Sequence, residues 1–132
     1  MIDVIIPVYD GYEETKRCIE SVLDNKNSRL FNLLVVDDCS PNPAIKQYLQ
    51  GLSDRKSIEL LVNSVNKGFV GTVNRGMSLH PDRDVVLLNS DTVVANDWLD
   101  RMIECAKSDD RVGIVGPLSN TASWQSVPEI EI

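Results

Sequence analysis

Asp91 is the residue of this chain best placed to do chemistry. It closes Asn89-Ser90-Asp91, directly after the apolar run Val86-Leu87-Leu88, so a strand end delivers an amide, a hydroxyl and a carboxylate together. Oxygen donors of this kind suit a hard divalent ion, Mg²⁺ or Mn²⁺. Such an ion is commonly held on one or two carboxylates while a substrate's phosphate oxygens complete its shell. Asn89 and Ser90 can also touch a ribose, directly or through water. Two other apolar runs end in the same way: Leu33-Leu34-Val35-Val36 stops at Asp37 and Asp38, and Val4-Ile5-Ile6 opens onto Pro7-Val8-Tyr9-Asp10. Asn66-Lys67-Gly68-Phe69, followed by Gly71, would let backbone approach a diphosphate with Lys67 or Arg75 adding charge, although it is neither a Walker loop nor a G-x-G-x-x-G turn. A single acid after a strand commonly caps the next helix or solvates a turn. Three such endings on one rim point instead to a ligand site, because open α/β sheets bind ligands beyond the carboxyl ends of their strands.

The elements that must position these residues alternate. After the first strand, Tyr12, Thr15, Ile19, Val22 and Leu23 recur at helical spacing among Glu13, Glu14, Lys16, Arg17 and Glu20. Asn42 and Pro43 form a cap and first turn for a second helix with the stripe Ile45, Leu49 and Leu52. Ile58 to Val62 reads as a third strand. Val70, Val73 and Met77 mark a third helix despite Gly71 and Gly76, each costing up to about 1 kcal/mol against Ala. Asp84 to Leu88 reads as a fourth strand, Asn96 as the cap of a helix facing inward through Leu99, Met102, Ile103 and Ala106, and Val112 to Val115 as a fifth strand. The β-α alternation predicts an α/β, Rossmann-like, mostly parallel sheet with helices on both faces, cut short after the fifth strand. Residues 1–116 would form the binding domain. Residues 117–132, rich in Ser, Asn and Thr around Trp124, would be a loop or the start of a further region. Trp98 is expected to pack at a helix start, and His80 to sit in a turn before Pro81 without a catalytic role.

The bulk properties narrow the class. At 132 residues one domain with a real core is expected. A net charge of -7 and no basic stripe argue against a nucleic-acid partner. Cys18, Cys39 and Cys105 are odd in number and lack metal-ligand spacing, which predicts free thiols in a reducing compartment and thus a cytoplasmic location. No run approaches the roughly 20 apolar residues of a spanning helix, so no membrane segment is expected in the chain, although a longer protein could work at the cytoplasmic membrane face.

Taken in order, Ile5-Ile6-Pro7-Val8-Tyr9, Val35-Val36-Asp37-Asp38-Cys39-Ser40, Asn66-Lys67-Gly68-Phe69 leading to Asn74-Arg75-Gly76, and Leu87-Leu88-Asn89-Ser90-Asp91-Thr92 resemble the ordered signature blocks of family 2 glycosyltransferases with the GT-A fold. The resemblance spans nearly the whole chain. It implies a hexosyltransferase-type enzyme, as in polysaccharide biosynthesis, that moves a sugar from a nucleotide diphosphate sugar to a saccharide, lipid or protein acceptor with inversion at the anomeric carbon. It further implies that Pro7, Val8 and Tyr9 line the base pocket, that Asp38 hydrogen-bonds the base with Asp37 nearby, and that Asn66, Lys67 and Gly68 lie in the stretch closing over the nucleotide. Asp91 would match the last acid of the family's Asp-x-Asp motif and hold a divalent metal, Mn²⁺ or Mg²⁺, on the diphosphate. Asn89 and Ser90 depart from that motif, where relatives often carry acids.

The family's general base comes from a later segment. Glu129 and Glu131 are poor candidates, so the chain is expected to be a donor-binding half without full activity of its own. The alternative from another class is a non-catalytic GT-A-like domain that only binds nucleotide or assembles, self-associating as a homo-oligomer through an uncovered sheet edge.

Overall fold

The computed structural model describes residues 1–118. Four strands, β1 (Ile2–Val8), β2 (Phe31–Asp37), β3 (Glu59–Val62) and β4 (Asp84–Leu87), form one all-parallel sheet in the order β3-β2-β1-β4. Four helices alternate with them: α1 (Tyr12–Asp24), α2 (Pro43–Asp54), α3 (Gly68–Leu79) and α4 (Trp98–Ala106). On one face Val4, Ile6, Val8, Leu33 and Val35 pack against Cys18, Ile19 and Val22 of α1, Ile45, Leu49 and Leu52 of α2, and Leu99 and Ile103 of α4. The opposite face, Ile5, Leu34 and Val36, is covered by α3. Helices therefore occupy both faces, as the alternation predicts, but unequally.

α2 begins as its sequence dictates: Pro43 sits in the first turn and the Asn42 side chain accepts from the Ala44 amide at 3.0 Å. α3 explains one of its glycines. A Cβ on Gly76 would lie 3.0 Å from Ile5 Cγ2 and 3.3 Å from Val36 Cγ2, so glycine is what lets the helix lie this close to the sheet. The buried face of α3 is Thr72, Val73 and Gly76, whereas Val70 and Met77 are exposed.

At the amino ends of the strands the buried Asp3 carboxylate accepts from Arg83 Nη1 at 2.8 Å and Asn32 Nδ2 at 3.1 Å, and meets His80 Nδ1 at 2.7 Å. Burial alone would raise its pKa, but these hydrogen bonds and the His80 charge hold it below the usual carboxylate value. His80 thus ends α3 just before Pro81 and bonds to Asp3 there.

Several sequence expectations need correction. Residues 112–118 pair with no strand among the described residues, and Ile114 is 93% exposed, so the fifth strand is absent there. The run is four residues long, contains Gly113 and has no ladder partner, and a strand gains little without one. The apolar β4 run is, among the described residues, an edge strand with Leu87 47% exposed. α4 is not capped by Asn96. Asp97 precedes it at φ 61 with no side-chain cap, and Asn27 Oδ1, from the loop after α1, accepts from the Leu99 amide at 3.1 Å. Ala106 and Leu23 are exposed rather than core. Trp98 does pack against the core, and the three cysteines are free thiols. Trp124, Glu129 and Glu131 lie outside the described residues.

Candidate active site

The strand order reverses between β1 and β4, since β2 and β3 lie to one side of β1 and β4 to the other. Ligands of open α/β sheets bind at such a switch point, beyond the carboxyl ends of the strands. A cavity of about 680 Å³ opens there, within the roughly 300–1,000 Å³ of small-molecule sites. Pro7 helps to open it. Ile5 gives its carbonyl to the Leu88 amide on the β4 side and Val8 gives its own to the Asp38 amide on the β2 side, so Pro7, in phase with Ile5, turns toward β4. Its nitrogen has no hydrogen to donate, and the β1–β4 ladder has already ended at Ile5 and Leu87.

Of the residues singled out in the sequence, Pro7, Val8, Tyr9, Asp38, Asn66, Gly68, Asn89, Ser90 and Asp91 all line this cavity although they come from four separate segments. Two do not. Asp37 is buried, and its Oδ1 accepts from the Ser40 amide at 2.7 Å, so it braces the turn in which Cys39 adopts φ 57. Lys67 is exposed outside the lining, and only its amide reaches inward, to Asp38. Arg75, considered above as a source of charge, instead donates to the Val62 carbonyl at 2.7 Å and to Asn63 Oδ1. Asp10, the last residue of the first strand ending, also lines the cavity, and so do Glu14 and Thr72, to which the sequence reading gave no site role. Glu14 lies three residues into α1, where an acid reads as a solvated first turn, and Thr72 reads as a polar position on a weak helix.

Asp38 is the most heavily held of these groups. Its Oδ1 accepts from Asn63 Nδ2 at 2.8 Å and the Lys67 amide at 2.7 Å, and its Oδ2 from the Gly68 amide at 2.9 Å. The carboxylate thereby caps α3 from another segment, a position where the helix dipole favours negative charge. Gly68 takes φ 74 to aim its amide there. Burial pushes the Asp38 pKa up, but the hydrogen bonds from Lys67, Asn63, Thr72 and Gly68 outweigh it and hold the carboxyl below its ordinary value. Asp91, by contrast, is exposed and has no hydrogen-bond partner among the described residues, so both oxygens are free to take a ligand.

The charge of the lining decides what can bind. Asp10, Glu14, Asp38 and Asp91 are acidic, and no Lys, Arg or His lines the cavity among the described residues. A diphosphate entering alone would meet only like charge there. No cluster of three His, Cys, Asp or Glu suited to a metal exists among the described residues, so a cation would need oxygens brought by the ligand itself. The donor set of Asp91, Ser90 and Asn89 is all-oxygen and fits Mg²⁺ or Mn²⁺ on those terms.

Solved structures share this architecture. TarS from S. aureus in complex with UDP superposes with a TM-score of 0.63 at 20% identity, covering 80% of this chain and 31% of that one. The mannosyltransferase PcManGT from Pyrobaculum calidifontis, in complex with GDP-Man and Mn²⁺, superposes with a TM-score of 0.69 at 17% identity, covering 81% of this chain and 32% of that one. The fold is GT-A-like. In sequence, the chain is 30% identical over 105 residues to the succinoglycan biosynthesis protein ExoO of Rhizobium meliloti (strain 1021), which covers 80% of this chain and 29% of ExoO. The model of glycosyl transferase family 2 matches residues 3–123, and the chain belongs to that family. It spans 29% to 41% of the length of curated relatives it matches.

Proposed function

We infer that this chain holds the nucleotide diphosphate sugar of an inverting glycosyltransferase in the cavity between β1 and β4, with a divalent ion on Asp91. The observation that carries the reading is the pairing of a lining whose charged side chains are all acidic with a carboxylate at the switch point, Asp91, that no described residue engages. An anionic donor fits such a lining when a cation lies between them. Bound UDP in TarS and bound GDP-Man with Mn²⁺ in PcManGT support the ligand class.

In this reading Pro7, Val8 and Tyr9 form the wall against the base, and the half-exposed Tyr9 ring offers a stacking face. Asp38, kept ionised, accepts from the base, while Asn66 and Gly68 bound the nucleotide on the α3 side. Lys67 reaches over it from outside the lining, and Asp37 acts behind Asp38 by fixing the turn. Asn89 and Ser90 face the ribose, and Asp91 binds the ion. When bound, the ion supplies Lewis-acid stabilisation of charge on the leaving diphosphate. During transfer the anomeric carbon–oxygen bond to the diphosphate breaks as the acceptor hydroxyl oxygen bonds that carbon from the opposite side, and the hydroxyl proton passes to a base. No described residue is assigned that last role. Residues 1–116 are thus the donor-binding portion.

Titrating UDP, GDP and dTDP into the chain by calorimetry, with and without Mn²⁺, tests the reading. One base should bind in the millimolar to micromolar range, about -4 to -8 kcal/mol, and only with the ion. Silence for all three from folded protein would favour the scaffold alternative.

A further inference from the structure

The loop that carries Asp91 has no regular structure of its own, and its last tie to the sheet is the Leu88 amide on the Ile5 carbonyl at 2.9 Å. Beyond that point one side of α1 holds it. Cys18 Sγ donates to the Asn89 carbonyl at 3.4 Å, Ser21 Oγ accepts from the Val94 amide at 3.1 Å, and Asn25 Nδ2 donates to the Val94 carbonyl at 2.9 Å. The three donors and acceptors stand three and four residues apart, which places them in one row on the helix. Asn25 Nδ2 also meets the Ser21 carbonyl at 2.6 Å, so its amide is aimed by the helix end itself. These contacts grip the loop on both sides of Asp91, at Asn89 and at Val94.

We propose that Cys18, Ser21 and Asn25 are positioning residues that aim the Asp91 carboxylate into the cavity by fixing the backbone of residues 89–94 to α1. The proposal rests on the reading of Asp91 as the ion's ligand. The same helix lines the cavity with Glu14 near its amino end, so α1 is a single rigid body that both bounds the site and sets the loop. A loop gripped in this way meets the ion without first having to be ordered, and such pre-organisation strengthens binding.

Calorimetry with the base that binds best among UDP, GDP and dTDP, with and without Mn²⁺, separates the outcomes when run on Ser21→Ala, Asn25→Ala, Cys18→Ala, Cys18→Ser and Asp91→Ala. The Mn²⁺-dependent affinity should fall about threefold to tenfold for each hydrogen bond removed, and no variant should bind without the ion. Cys18→Ser, which restores a donor, should recover most of what Cys18→Ala loses. Amide hydrogen exchange should quicken at Val94 in Ser21→Ala while Leu34 and Val35 keep their protection, which separates loop release from general unfolding. Wild-type affinity and wild-type Val94 exchange in Ser21→Ala and Asn25→Ala, with Asp91→Ala inactive in binding, would overturn the positioning role alone. Absence of Mn²⁺-dependent binding in the wild type would overturn both this proposal and the reading beneath it.

Discussion

The Asp38 carboxylate is occupied before any ligand arrives, because the Lys67 and Gly68 amides and the Asn63 side chain already bond to it. It therefore ties the end of β2 to the start of α3 as well as lining the cavity. Asp38→Ala should lose nucleotide affinity and also destabilise the fold by about 1–3 kcal/mol, since two backbone amides and Asn63 lose their acceptor; paired urea melts and titrations would show both effects, and a variant losing only affinity would contradict the capping role. Asp3 gives a pH-dependent counterpart at the other end of the sheet. Its folded pKa lies below the ordinary value of 3.8, so its contribution is complete above the unfolded pKa and is lost as pH falls through the folded one. Wild-type stability should therefore drop between about pH 5 and pH 2 more steeply than that of Asp3→Asn, which is less stable at neutral pH because an amide keeps only one acceptor oxygen for Arg83, Asn32 and His80 and carries no charge for Arg83. Parallel slopes for the two proteins in acid denaturation would contradict this account.

Among the elements, α3 is fitted most tightly. Ala at position 76 would gain about 1 kcal/mol of helix propensity, but its Cβ would press on Ile5 and Val36, both fully buried. The clash should win, so Gly76→Ala should destabilise by about 1 kcal/mol net in denaturant unfolding; a stabilised variant would show that the helix can back away. α4 depends on its neighbour: Asn27→Ala should cost about 1 kcal/mol through loss of the cap on Leu99. These cases mark what the sequence can tell. The α2 cap and its stripe of Ile45, Leu49 and Leu52 are local patterns and are read directly from residue spacing. The cap on α4 comes from a loop some seventy residues earlier, which no local pattern encodes. Val70 and Met77 mark α3 correctly but not its buried face, because the helix meets the sheet through Thr72, Val73 and Gly76, and apolar periodicity finds large side chains. The β4 run misled because continuous apolar character does not distinguish an edge strand from an interior one. Most of the site was legible because its residues end strands, a position visible in sequence. Glu14, Thr72, Cys18 and Ser21 lie within helices and Asn25 at the end of one, and they meet the cavity or its loop only once the helices are packed.

At the scale of the molecule, the two faces of the sheet are unequally secured. α1, α2 and α4 share one continuous core, while among the described residues α3 is the helix that covers Ile5, Leu34 and Val36. Native-state hydrogen exchange should accordingly find α3 opening at lower free energy than β1 and β2, and equal protection would contradict that picture. This difference bears on the cavity, since Asn66, Gly68, Phe69 and Thr72 on the α3 side form one of its walls. The whole-chain charge of -7 and the acidic lining act in the same direction, opposing any anion that arrives without a cation. The central claim is that Asp91 and a divalent ion together admit the diphosphate. Titration of the bound nucleoside diphosphate into wild type and Asp91→Ala, each with Mn²⁺ and with chelator, tests it most directly. Binding is expected only in wild type with Mn²⁺. Equal binding by Asp91→Ala, or binding by wild type that ignores the chelator, would contradict it.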